Sequence, residues 1–249
     1  MEKISKETIH RLVKDITQIV KQPLTDNGIY YHHDEEDMLK GYAMIVGSED
    51  TPYFGGFYFF ELTYPHDYPH SPPSMVFHTH GDNIRFHPNL YKNGKVCLSI
   101  LNTWRGEQWT SCQTITTMLL TLCMVLSKDP LLNEPGVNQH NKDLHKYNTI
   151  IEYSNIKVAV CDMIEKRAPT YNPMFEIFYP AMKERFVKNY PKILEFILKR
   201  KSERNLLETQ YIETSMYALH VCVNYNKLHT KFASIKLDGS GLDINKKLN

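Results

Sequence analysis

The chain has 249 residues and a formal net charge of +1, with 42% apolar and 23% charged side chains. This composition sustains a packed core and excludes wholesale disorder. The near-neutral balance also argues against broad electrostatic binding of nucleic acid.

In chain order, residues 6–21 carry Ile9, Leu12, Val13, Ile16 and Val20 at helical spacing, which predicts an amphipathic helix. Pro23 stops it. His10, Arg11 and Lys14 fall on the opposite side and read as a solvated basic face. From Ile29 to Phe77 short segments rich in aromatic and branched residues alternate with Gly and Pro clusters, the pattern of an antiparallel meander. The run from Tyr64 to Pro73 holds four prolines. Their missing donors predict a fixed loop instead of a strand or helix.

Residues 82–112 have no period and predict a long ordered loop, a common seat of function. Ile115, Met118, Leu119, Leu122, Val125 and Leu126 predict a largely buried helix over 113–127. A further helix is expected over about 141–165, with Tyr153, Ile156, Val160 and Ile164 on one side. Beyond Arg167, breaks at Ala168-Pro169 and Asn172-Pro173 precede helices expected near 181–190, 192–203 and 205–233, the last striped by Ile212, Met216, Leu219 and Val223. The tail from Asp238 reads as frayed. The expected class is α+β, with helices at the ends and against one face of a four-stranded antiparallel sheet. The expected division is a core over 1–166 and a helical C-terminal extension over 167–249, whose apolar stripes predict docking onto that core.

Five cysteines without a C-x-x-C pair argue against a disulfide framework and a four-cysteine zinc site. The first residues lack the apolar stretch of a signal peptide. Met118 to Leu126, the densest apolar stretch, is far short of the roughly 20 residues of a membrane span. The expectation is a soluble protein of the cytoplasm or nucleus, bound neither to membrane nor to nucleic acid. Cys112, Cys123, Cys161 and Cys222 are expected to pack in or beside helical stripes.

The long loop reads His87-Pro88-Asn89-Leu90-Tyr91-Lys92-Asn93-Gly94-Lys95-Val96-Cys97, with the cysteine eight residues after Asn89. Tyr53-Phe54-Gly55-Gly56 and Tyr68-Pro69-x-x-Pro72-Pro73 precede it; Trp109, Asp129-Pro130 and Glu134-Pro135 follow. With these marks in this order the chain resembles the ubiquitin-conjugating enzymes. Thr103-Trp104-Arg105-Gly106 and Val158-Ala159-Val160-Cys161-Asp162-Met163 are similar to the Z-type branch of that family in animals. The resemblance is good over about 6–166 and looser beyond.

The resemblance implies a ubiquitin-conjugating fold and a carrier that needs no cofactor and no metal. Cys97 would accept the C-terminal glycyl group of ubiquitin, or of a ubiquitin-like modifier, from a thioester on an activating enzyme. It would then pass the group to a substrate lysine or a ligase cysteine. A cysteine suits this, because its free pKa of about 8.5 leaves a few per cent thiolate near neutrality. Asn89 would donate to the developing oxyanion, hold the loop, or do both. Glu134, where many relatives carry Asp, would position the attacking lysine. His87 and Pro88 would shape the loop. His10, Arg11 and Lys14 match positions that contact the activating enzyme. His70 and Ser111 lie on the two loops that ligases grip, and both loops depart from the family: His70 replaces an apolar residue, and Thr110-Ser111-Cys112 replaces Ser-Pro-Ala. These departures put ordinary ligase engagement in question. A non-catalytic binding module of this family would lack Cys97, and a cysteine hydrolase would need a base beside the sulfur.

Overall fold

The computed structural model of the chain describes residues 4–167, 171–203 and 209–237. The expected break at Ala168-Pro169, the boundary between expected helices near Asn205 and the tail from Asp238 lie outside the described residues.

Helix α1 spans Lys6–Lys21, capped by Ser5, whose hydroxyl accepts from the Thr8 amide at 3.0 Å. Its buried face is Thr8, Leu12, Asp15 and Ile19, whereas Val13 and Val20 point to solvent. The apolar stripe read from the sequence is therefore rotated. Two polar residues face inward because both are satisfied there. Thr8 donates to the His66 carbonyl at 2.7 Å, and Asp15 accepts from the Tyr68 hydroxyl at 2.6 Å and from Arg11 Nε at 3.0 Å.

Strands β1 (Ile29–His33), β2 (Lys40–Val46), β3 (Phe57–Thr63) and β4 (Ser74–Phe77) form an antiparallel meander in sequential order. Pairs such as Ile29–Ile45, Val46–Phe57 and Phe60–Phe77 fix the register. Alternation along a strand sends successive side chains to opposite faces. Ala43, Ile45, Tyr58, Phe60 and Leu62 face one core with Leu12, Ile19, α2 (Ile115–Val125) and α3 (Leu144–Ser154). Tyr42, Met44, Val46, Phe57 and Phe59 face a second core.

That second face corrects the expectation that helices cover one side only. A π-helical segment, Asn155–Asp162, continues α3 and contributes Ile156, Val160 and Cys161. The extension supplies the rest: Phe175 and Phe178, helix α4 (Tyr179–Glu203) and helix α5 (Tyr225–Ala233). Phe175 is fully buried, 4.6 Å from the Phe59 ring and edge-on to Tyr42 at 6.0 Å. Arg185 Nε on α4 donates to the Tyr30 hydroxyl at 2.7 Å, and Arg200 pairs with Glu152 of α3 at 2.6 Å. Gly56 lets the segment before β3 pass the buried Asn155, since a Cβ there would lie 2.0 Å from Asn155 Oδ1.

Two further expectations fail in the extension. Helix α4 runs through Pro191 without the predicted break. Proline in a helix interior costs about 3 kcal/mol. Here Met182, Phe186, Tyr190, Ile193 and Ile197 bury one stripe on both sides of the exposed proline, which offsets that cost. The helix expected over 205–233 is instead a hairpin, β5 (Gln210–Thr214) and β6 (Leu219–Val223), followed by α5. Ile212, Leu219 and Val223 satisfy a helical spacing, but exposure alternates residue by residue along both strands, with Tyr211, Glu213, His220 and Cys222 outward. Of the cysteines expected to pack, Cys161 is buried and Cys123 half-buried, while Cys112 and Cys222 are exposed, neither of them in a helix.

Phe175→Ala should lower stability by about 3–5 kcal/mol, read as a fall in the urea midpoint. A chain ending at Arg167 should bare the Tyr42, Met44 and Phe59 face and self-associate, read by light scattering.

Candidate active site

The segment carrying Cys97 has little regular structure and is fastened residue by residue. The Asn93-Gly94 turn puts Gly94 at φ 86°, where a Cβ would come within 2.9 Å of the Phe77 carbonyl. Leu90 bridges Val96, which lays the two limbs of the loop side by side. Across them the Cys97 amide donates to the Asn89 carbonyl at 2.9 Å, and Asn89 Nδ2 donates to the Cys97 carbonyl at 2.6 Å. Cys97 is 2% exposed and Asn89 6%. On the far side the Thr103 hydroxyl accepts from the Leu98 amide at 2.9 Å and lies 3.1 Å from the Val96 carbonyl. Cys97 therefore sits between two side-chain tethers, one from Asn89 and one from Thr103.

His87 is fully buried and belongs to the scaffold of this loop. Its Nδ1 accepts from the Asn89 amide at 3.0 Å, which leaves the ring proton on Nε2. Nε2 is buried and meets no polar partner among the described residues. Burial, aided by the Arg85 charge, pushes the imidazole down to about 3. The preceding segment is pinned by phenols: Tyr53 donates to the Phe86 carbonyl at 2.8 Å and Tyr147 to the Arg85 carbonyl at 2.7 Å. Arg85 itself donates to the carbonyl of Pro88.

Glu134 follows a short helical turn, Pro130–Asn133. Its carboxylate accepts from the hydroxyl of Tyr217, in the connection between β5 and β6. Its neighbour Pro135 lines a groove of about 660 Å³ together with Thr103, Trp104 and Arg105. The loop bearing Glu134 thus faces the segment that follows Cys97.

The residues expected to meet partners are divided. His10 and Lys14 are exposed on α1. Arg11 is not part of a solvated face: its side chain is 17% exposed and binds Asp15 and the carbonyls of Ser111 and Gln113. The basic spacing hid this, because the acceptors lie a hundred residues away. His70 is exposed and pairs with Glu7 at 3.1 Å, and Ser111 is exposed. Among the described residues no cluster of metal-ligating side chains occurs and no helix is long and apolar enough to cross a membrane. Arg85 and Tyr217 carry no sequence signal, and Thr103 carries one only as part of a family-like segment, since the roles of all three rest on contacts that no local spacing encodes.

His87 gives a pH signature. Its folded-state pKa lies below the ordinary value of 6.5, so below that pH the unfolded chain binds a proton that the folded chain refuses. Stability should fall as pH drops from about 6.5 toward 3, by up to about 1.4 kcal/mol per unit from this residue. His87→Asn keeps an acceptor for the Asn89 amide and should flatten that part of the pH dependence in urea titrations.

Comparison with known proteins agrees with this geometry. Residues 11–159 match the family model described as ubiquitin-conjugating enzyme. Over 176 residues, covering 70% of this chain and 49% of the relative, the chain is 42% identical to ubiquitin-conjugating enzyme E2 Z of Homo sapiens. It is 41% identical over 192 residues to E2 Z of Danio rerio, covering 76% and 57%. It is 35% identical over 181 residues to the probable ubiquitin-conjugating enzyme protein 17 of Caenorhabditis elegans, covering 67% and 25%. The chain spans about half the length of the E2 Z relatives. The fastened Cys97 loop, the sheet and helices around it, and the match across 11–159 place the chain in the ubiquitin-conjugating enzyme family.

Proposed function

We propose that the chain is a ubiquitin carrier, with Cys97 as the atom-bearing residue and Asn89, Glu134 and the loop around them as its support. The observation that carries this reading is the fastening of the backbone at Cys97, by Asn89 on Cys97 itself and by Thr103 on its neighbours Val96 and Leu98. It fixes the backbone around the sulfur while adding no hydrolytic base to it.

In charging, the Cys97 thiolate attacks the carbonyl carbon of ubiquitin's terminal thioester. A new C–S bond forms, the old one breaks, and the activating enzyme's sulfur leaves as thiolate. One thioester replaces another, so this step needs no ATP. In discharge, a lysine amine attacks the same carbon. The C–N bond forms, the C–S bond breaks, Cys97 leaves as thiolate, and the proton of the amine passes to a base.

Both steps gather negative charge on the carbonyl oxygen. Asn89 is suited to meet it: its amide has two hydrogens, and one serves the Cys97 carbonyl. Glu134 is the carboxylate assigned to the amine. An ordinary lysine pKa of about 10.4 leaves little free amine near neutrality, so orientation and proton acceptance both matter. The activating enzyme would meet α1 through His10 and Lys14, with Arg11 acting indirectly by holding the Ser111–Gln113 segment. A ligase would meet the face bearing His70 and Ser111. Protein lysines are the acceptors in this reading, and the cytoplasm or nucleus is where the thiol is kept reduced.

The test is a charging assay with ATP, ubiquitin and, in turn, each activating enzyme of animals. The expected product is an adduct that thiol reagents remove and that Cys97→Ala lacks. No adduct from folded protein with either enzyme would refute ubiquitin charging. Asn89→Ala should slow discharge about 10²–10³-fold, measured by single-turnover gels.

A further inference from the structure

Tyr217 lies in the part of the chain least like a conjugating core, yet it touches that core twice. Its hydroxyl donates to the Glu134 carboxylate. Its ring lies 4.2 Å from the Arg85 guanidinium, which also lies 3.8 Å from the Tyr91 ring. Arg85 holds the carbonyl of Pro88, next to Asn89. One side chain of the extension therefore reaches both the acceptor carboxylate and the loop that fastens Cys97.

The backbone there is held in an unfavorable form. Tyr217 has φ 62° and Ala218 φ 46°, a left-handed conformation that side chains with a Cβ avoid. Three contacts maintain it. The Met216 amide donates to buried Asp143 at 2.9 Å, the Thr214 hydroxyl donates to the Met216 carbonyl at 2.8 Å, and the Tyr217 ring meets Tyr147 edge-on at 6.0 Å. Burial, then the bond to Glu134, pushes the phenol up, so it stays a donor. A hairpin turn that needed only to reverse the chain would place glycine or asparagine at such positions. Here a bulky phenol is aimed at a carboxylate.

We propose that Tyr217 is a positioning residue for transfer to lysine, holding the Glu134 carboxylate in the orientation that receives the acceptor amine. The proposal rests on the reading of Glu134 as that carboxylate. Glutamate is longer than the aspartate it replaces and has one more rotatable bond. The phenol removes that freedom from one oxygen and leaves the other to the amine.

The experiment starts from the preformed ubiquitin thioester of the full chain and follows single-turnover discharge to free lysine and, separately, to hydroxylamine. Hydroxylamine is largely unprotonated near neutrality and needs no carboxylate to orient it. Tyr217→Phe keeps the ring on Arg85 and loses only the hydroxyl. The ratio of the lysine rate to the hydroxylamine rate should fall about tenfold or more, the effect of losing a hydrogen bond to a charged group. Glu134→Ala should lower the same ratio, and adding Tyr217→Phe to it should cause no further loss. Lysine discharge at the parent rate in Tyr217→Phe, with Glu134→Ala slowed, would overturn the role of Tyr217 and leave that of Glu134 standing. A parent ratio in Glu134→Ala would overturn the reading of Glu134 and this proposal with it. Equal slowing of both nucleophiles in Tyr217→Phe would mark a general loosening of the site and also overturn the proposal. Should Tyr217→Phe fail to fold, Tyr217→Asn, which suits the left-handed backbone and is too short to reach Glu134, gives the same reading: the ratio should fall, and a parent ratio would overturn the tether.

Discussion

Burial of the four-stranded sheet on both faces is the constraint from which the rest of the structure follows. Tyr42, Met44, Val46, Phe57 and Phe59 are all buried, and much of what covers them comes from beyond Arg167. An antiparallel sheet can leave one face wet if that face is polar. This one is apolar on both faces, with Ala43, Ile45, Tyr58, Phe60 and Leu62 on one and Tyr42, Met44, Val46, Phe57 and Phe59 on the other. Exposed, the second face would be a large apolar patch of the kind that drives association. The extension is therefore part of the fold instead of an appended tail.

Docking the extension has a consequence at the other end of the molecule. Once α4 and α5 lie on the outer face, the β5–β6 hairpin packs against α3, and its turn arrives beside Arg85 and Glu134. The same extension closes a hydrophobic core and supplies a polar contact to the loop that bears Glu134. The hairpin and the segment before Cys97 thus share α3 as a support, through Tyr147, whose hydroxyl binds the Arg85 carbonyl.

What could be read from sequence follows the range of the forces involved. The meander, the buried α2 and the proline loop are set by local pattern, and they stand where the pattern puts them. The Cys97 loop was legible as a string of residues at fixed spacing. The rotation of α1 was not, because Thr8 and Asp15 are buried only by virtue of His66 and Tyr68, more than fifty residues away. Pro191 was misread because packing outweighed a local cost, and the β5–β6 hairpin because its inward residues fit two periods at once. The same limit hid the roles of Thr103, Arg85 and Tyr217: each acts through a partner that only the folded chain brings near.

A carrier of the proposed kind must hold an activated acyl group without releasing it to water, and the disposition of His87 bears on how this loop would do so. A hydrolase would direct an imidazole at its nucleophile to deprotonate it and later to activate water. Here Nδ1 is occupied by the Asn89 amide, and burial pushes the ring down to about 3, so it is a poor proton acceptor near neutrality. Its work is to shape the backbone that presents Asn89. The neutral amide of Asn89 can stabilise an oxyanion while offering water no base. In the proposed reading, discharge would depend on a nucleophile that brings its own reactivity or finds Glu134. Asn89 and Glu134 then stand, in that reading, on two loops tied by different side chains, an arrangement that would let a thioester persist until an amine is in place.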